Sequence, residues 1–290
     1  MNNKKMFSII GISLLANLLL LPNMSFAKNN YSYINPVLYI SGQYRPGVSH
    51  FSQFSVRETH YDTQLLAELK KEVGSVTNTV IQAYANYNVP SQAPFSHTYV
   101  AEFEDNTISF SGAVGFSYSE GPRIEIEFSY EEFDVKNSGH SSIDAHRYFA
   151  LLRHSNNGNT QQNPFAVMRN NGLFIGSVAI NSCYDFILDD TPALPYVCGG
   201  IGGDFIEFFD ELHVKLAYQG KIGISYPIHS KVSTFVDVYY HRVINNKFKN
   251  LHVQYVNTTT SQAINPQITS AVATLNVGYF GIEIGARLTF

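Results

Sequence analysis

The sequence predicts an all-β protein: a transmembrane, antiparallel, up-and-down β-barrel of eight strands with short periplasmic turns and long extracellular loops. Its closing segment, its opening segment and its composition all point that way. Residues 279–290 (YFGIEIGARLTF) put Phe280, Ile282, Ile284, Ala286, Leu288 and Phe290 on one face of a strand. Tyr279, Gly281, Glu283, Gly285, Arg287 and Thr289 fall on the other, because successive side chains of a strand alternate between its faces. The result is apolar outside, charged inside and ends on an aromatic residue, which is the form of a final outer-membrane strand. Phe280, Ile282, Ile284, Leu288 and Phe290 are the residues expected to signal to the barrel-assembly machinery.

The opening segment reads as a cleaved signal peptide. Lys4 and Lys5 precede an apolar run over residues 7–21, and Ser25-Phe26-Ala27 offers a small-x-small cleavage site. The expected organisation is a signal peptide over 1–27 and an outer-membrane barrel over 28–290. Removing the first 27 residues takes two lysines and moves the formal charge from −4 to −6, an acidic balance that argues against a nucleic-acid partner. Charged residues make up 14% of the chain, against about 25% in soluble domains. With 21 Phe, 19 Tyr and no helix-length apolar run after the leader, that suits a sheet whose outer face meets outer-membrane lipid.

The strands follow in order. Val37–Tyr44 is the first. Residues 108–119 set Ile108, Phe110, Val114, Phe116 and Tyr118 against Ser109, Ser111, Ala113, Gly115, Ser117 and Ser119. Residues 123–131 oppose Ile124, Ile126, Phe128 and Tyr130 to Arg123, Glu125, Glu127 and Glu131. Residues 174–186 and 196–205 form a hairpin around residues 189–192. Residues 212–226 alternate without a break, 232–241 follow a short turn, and the terminal strand begins as early as Ala271. Paired residues must share a face, and three hairpins meet that test: Ser119 with Arg123, Tyr184 with Val197, Tyr226 with Val232. Long segments follow the first, third and seventh strands and short turns follow the second, fourth and sixth, so the long loops lie outside. The fifth-to-sixth connection, residues 206–211, is short for an external loop. Twelve strands are the alternative, with 146–151, 165–168 and a divided final stretch as the extra ones.

The polar face carries Arg123, Glu125, Glu127, Lys215, Lys221, Asp237, Glu283 and Arg287. An eight-strand barrel is just wide enough for its own side chains to fill, so these charges are expected as a packed, mutually neutralising network; the functional reading is a pore lining that sets selectivity. Cys183 and Cys198, the only cysteines, lie opposite one another in the predicted hairpin, either disulfide-bonded or as two reduced thiols. Gly199, Gly200, Gly202 and Gly203 lie within a strand and lead into no helix, so they read as close packing or bending rather than a phosphate loop. The ten histidines, His140 and His146 among them, form no metal motif, and no GxSxG nucleophile appears. No cofactor, metal or catalytic residue is expected. Thr63 to Val80 carries apolar residues at helical spacing and predicts a short helix in the first loop. A soluble lipocalin-like binder is the weakest alternative.

Several stretches resemble the rickettsial surface-antigen family, the major outer-membrane proteins of Ehrlichia and Anaplasma. They are YISGQYRPGVSHFSQF at 39–54, HRYFAL at 146–151, CYDF at 183–186, YVCGGIGGDFIEFF at 196–209, LAYQGKIGISYP at 216–227, and residues 239–250 and 269–290. The resemblance implies an abundant surface-exposed antigen of a tick-borne intracellular bacterium, whose variable loops meet host surface factors and antibodies. It also implies porin activity as the alternative, since some members are reported to act as porins.

Overall fold

The computed structural model describes residues 36–73, 95–153, 165–257 and 269–290. The expected signal segment lies outside them. In chain order the strands are β1 (Val37–Tyr44), β2 (Gly47–Ser49), β3 (Ser52–Glu58), β4 (Thr63–Leu69), β5 (Phe95–Thr98), β6 (Phe110–Ser117), β7 (Pro122–Phe133), β8 (Tyr148–Arg153) and β9 (Phe165–Arg169). There follow β10 (Leu173–Asp185), β11 (Leu194–Phe208), β12 (Glu211–His229), β13 (Val232–Val243), β14 (Lys247–His252), β15 (Tyr255–Asn257), β16 (Ser270–Asn276) and β17 (Gly278–Thr289). Strands β1, β6, β7, β10, β11, β12, β13 and β17 pair antiparallel in that order, and β17 returns to β1. The wall is a closed ring of eight.

The size of the ring can be read from its register. Hydrogen-bonded partners followed from Tyr39 run through Gly115, Glu125, Asn181, Gly200, Gln219, His241 and Tyr279. They arrive at Ser49, ten residues beyond the start. That stagger means strands tilted by roughly 40° and a lumen filled by side chains. Every residue on the circuit faces inward. The opposite parity carries Ile124, Ile126, Ile180, Ile201, Ile222, Val238, Ile282 and Ile284, all exposed, as an apolar wall for lipid requires.

The two remaining sheets stand on the end of the barrel where the long connections emerge. One runs β14–β16–β3 and the other β15–β9–β8–β4–β5. The segments weighed as extra wall strands, 146–151, 165–168 and the stretch from Ala271, are strands β8, β9 and β16, but they belong to this cap and not to the wall. Thr63–Leu69 is β4, a strand and not the start of a helix. It is hydrogen-bonded to β8 on one side and β5 on the other, and two ladders outweigh a helical stripe of apolar residues. The rest of that predicted helix, from residue 74, lies outside the described residues.

The turns refine the expected register. Tyr184 pairs with Val197. Arg123 pairs with Ser117 and not Ser119, because Tyr118 and Gly121 close the turn earlier: the Tyr118 amide donates to the Pro122 carbonyl and Gly121 takes φ +106°. Tyr226 pairs with Thr234 and not Val232, which sits opposite His229 beyond an irregularity at Pro227. Both shifts are two residues, so no side chain changes face. The short fifth-to-sixth connection is a tight turn, with Phe209 at φ 53° and Asp210 at φ 60°, the left-handed pair of a type I′ hairpin. The outer end needs no loop there because β11 and β12 themselves rise into the cap.

Candidate functional site

The lumen brings together the largest set of ionisable side chains among the described residues, and its contents change from the periplasmic end to the cap. At the bottom, the Tyr39 hydroxyl donates to Glu125 (2.5 Å). Arg123 donates to Asp185 (2.9 Å) and Glu125 (3.2 Å), with its guanidinium 5.1 Å over the Tyr196 ring. Arg287 lies between the Tyr39 and Phe235 rings, 5.0 and 5.4 Å from their centroids. The Tyr196 hydroxyl donates to Asp237. Cys183 and Cys198, directly paired across β10 and β11, are joined by a disulfide. Glu125 has an oxygen within 4.8 Å of both sulfurs, but sulfurs bonded to each other offer no thiolate to a metal.

The middle of the lumen is a tight ionic knot. Lys221 donates to Glu127 (2.5 Å) and Glu283 (2.8 Å). Arg45 reaches Glu127, Glu131 (3.3 Å) and Glu283 (3.1 Å), and its guanidinium lies 4.1 Å over the Tyr239 ring. Asn181 donates to Glu125 (3.0 Å) and Glu127 (2.9 Å) and accepts from Gln219 (2.8 Å). Higher up, His241 bridges Gln219 (3.3 Å) and Asp204 (2.9 Å) and stacks on Tyr279. Glycine makes room for the crossing side chains. A Cβ at Gly200 would sit 1.9 Å from Asn181 Oδ1, and one at Gly223 would sit 2.4 Å from the Asp237 Cβ.

Above the knot the inward face of the wall turns apolar. Phe133, Leu173, Ile175, Ile206 and Phe208 come from the outer ends of the wall strands; Phe149, Leu151, Met168, Phe248 and Leu251 come from the cap. They form one cluster. Edge-on aromatic pairs bind the cluster across its elements: Phe208 with Phe248 at 5.1 Å and Phe149 with Phe209 at 5.9 Å. The arrangement is a polar barrel roofed by a dry apolar core.

Residues 32–290 match the family described as Surface antigen. The chain belongs to the surface-antigen family. A relative in it, Major surface antigen 4 of Anaplasma marginale, is 30% identical over 255 residues, covering 87% of this chain and 83% of that one. Among solved structures, the outer membrane protein OprG of Pseudomonas aeruginosa aligns at 12% identity with a TM-score of 0.48, covering 89% of this chain and 97% of that one. Neisserial surface protein A aligns at 10% identity with a TM-score of 0.37, covering 88% and 97%. The eight-strand ring itself is read from this chain's own pairing. The protein is an outer-membrane β-barrel surface antigen.

In this surface antigen Arg123, Glu125, Glu127, Lys221, Asp237, Glu283 and Arg287 all lie buried in the lumen. Lys215 shares their parity but is carried up to the cap, where it donates to the Lys247 carbonyl (2.8 Å) and lies 4.2 Å from the Phe248 ring centroid. Phe280, Ile282, Ile284, Leu288 and Phe290 are exposed on the outer wall. Of Gly199, Gly200, Gly202 and Gly203, Gly200 and Gly202 face a crowded interior and Gly199 faces open space. His140 donates to the Leu69 carbonyl (2.8 Å), and its ring stands 6.4 Å from that of His146. Sequence reasoning missed Arg45, Asp185, Asp204 and His241 as members of the network. Simple alternation would have found them: Arg45 continues the inward parity of Tyr39 one residue past β1, Asp185 that of Cys183, Asp204 that of Cys198, and His241 that of Asp237.

Proposed function

We propose that the barrel is a closed anchor and that the cap is the working part, presenting its outer surface to host factors and antibodies. The carrying observation is the roof: the outer mouth of the lumen is filled by Phe133, Ile175, Ile206 and Phe208, each 0% exposed and packed under the cap sheets. A solute path would have to cross that dry layer and then the Arg45–Lys221 knot below it. The supporting family membership speaks for a surface position, with residues 1–27 as the export signal and the outward face of β17 as the segment read during assembly. Cleavage after Ala27 is checked by the N-terminal mass of protein isolated from outer membranes.

The deciding experiment is single-channel conductance of refolded residues 28–290 in a planar bilayer. Silence from folded, heat-modifiable protein is expected; steady large openings would overturn the closed-anchor reading. A second reading, a pore for small hydrophilic solutes, has one observation in its favour. The lumen holds seven carboxylates (Glu125, Glu127, Glu131, Asp185, Asp204, Asp237, Glu283) against four permanent cations (Arg45, Arg123, Lys221, Arg287). Any openings should therefore favour cations over anions.

A further inference from the structure

The outward wall of the barrel is apolar along most of its height, and among the described residues Arg242 is the only lysine or arginine on the lipid-facing side of the eight wall strands. It sits near the outer end of β13. Its register partners are Tyr218 on β12 and Gly278 on β17. Tyr240, two residues earlier on the same face, accepts a hydrogen bond from the Arg242 guanidinium (3.3 Å). The Tyr240 hydroxyl lies 3.5 Å from where a Cβ on Gly278 would stand, so guanidinium and hydroxyl share the bare backbone beside β17.

Arg242 is not beyond the apolar belt. Ile244 follows it on the same face, half exposed, and Leu216, Val214 and Leu212 continue the outward face of β12 above its partner Tyr218, all exposed. A cation on a lipid face costs about 2–4 kcal/mol at mid-membrane and about 0–1 near an interface, so this position suits the headgroup boundary of the outer leaflet. There Arg242 makes no ion pair among the described residues and spends one donor on a tyrosine. A planar guanidinium with free donors, flanked by two phenols whose rings suit an interface, matches the geometry of a phosphate oxyanion.

We propose that Arg242, with the Tyr218 and Tyr240 hydroxyls, binds the phosphate of an anionic outer-leaflet lipid, whose acyl chains run down the wall past Phe280, Val238 and Ile222. The site rests on the outer-membrane placement of the barrel and adds a specific lipid to it.

The chain contains no tryptophan, so Ile222→Trp supplies a single fluorophore just below the site, exposed on the path of the acyl chains. The refolded chain is placed in mixed bilayers of phosphatidylglycerol and phosphatidylcholine, brominated on one lipid or the other. Quenching should report roughly fivefold local enrichment of phosphatidylglycerol, the effect of one basic residue at an anionic surface. Adding Arg242→Gln should abolish the enrichment, and Arg242→Lys should retain part of it. Equal quenching by both lipids, or an enrichment that survives Arg242→Gln, would overturn the site. Quenching by neither lipid would place this face outside hydrocarbon and overturn the membrane placement along with it.

Discussion

The lumen and the roof above it are closed by opposite means, although the same strands build both. Below the roof the charged inward residues are held by partners on other strands: Glu127 by Arg45, Lys221 and Asn181. In the upper third the same inward parity delivers Phe133, Ile175, Ile206 and Phe208. The difference follows from what each must pack against. A narrow ring closed on itself can only satisfy buried charges with one another, whereas the outer mouth has the cap sheets to bury apolar surface against. Specific ionic geometry fills one region and non-directional packing the other.

The contrast sharpens if each region is broken in turn. Arg45→Met leaves Glu127, Glu131 and Glu283 without their shared guanidinium, and should cost about 3–5 kcal/mol of barrel stability, read by urea unfolding of protein folded in detergent micelles. Phe149→Ala removes a fully buried ring from the roof and should cost about 3–5 kcal/mol locally. Its mark is different: faster proteolysis within the cap, with the barrel still heat-modifiable. Neither variant alone should conduct in a planar bilayer, because each leaves the other closure in place. Conductance from Arg45→Met alone would show that the roof is no barrier to ions.

The two regions were unequally legible in the sequence. The wall was open to period-two reading because one face meets lipid and the other does not; Arg123, Glu125, Glu127 and Ile124, Ile126, Phe128 sort themselves by parity alone. The cap has no such asymmetry. Phe149, Ala150 and Leu151 are all buried in succession, since β8 is covered on both faces, and a continuous apolar run has no period to read. β4 misled for a related reason: its leucines at 65 and 69 fit a helical stripe with Val73, and only the flanking strands β5 and β8, brought in from distant sequence, decide otherwise. Lys215 shows where parity stops serving. It faces inward, but β12 has by then left the lumen for the cap.

Within the lumen, the covalent link at Cys183–Cys198 can be set against the ionic links. It closes a separation of 15 residues across strands already paired. Replacing both cysteines by serine should cost about 3 kcal/mol on a chain-entropy account, less than losing Arg45. The measure is the urea midpoint with and without reductant. Indifference to reductant in both proteins would mean that the ladder between β10 and β11 already supplies the constraint.

The smallest expected effect comes from acid, and it separates cap from barrel. His146 precedes β8, with its Nδ1 buried and without a hydrogen-bond partner. Burial first, and the neighbouring Arg147 cation second, hold its pKa below the ordinary histidine value. The unfolded chain therefore binds the proton more readily than the folded cap does. Stability contributed at this site is whole above about pH 6.5, the unfolded value, and drains away as the pH falls toward the lower folded value. Glu68 beside His140, and Asp134 and Asp144 beside Arg147, face the same segment, so the test must isolate His146. Amide exchange in β8, taken relative to the intrinsic rate at each pH, should quicken between pH 7 and pH 5 in the wild type and less so in His146→Gln, while relative exchange in β12 stays unchanged in both. Equal acceleration in the two proteins would move the acid response to another group of the cap. Acceleration that extends into β12 would mean that cap and barrel unfold as one unit.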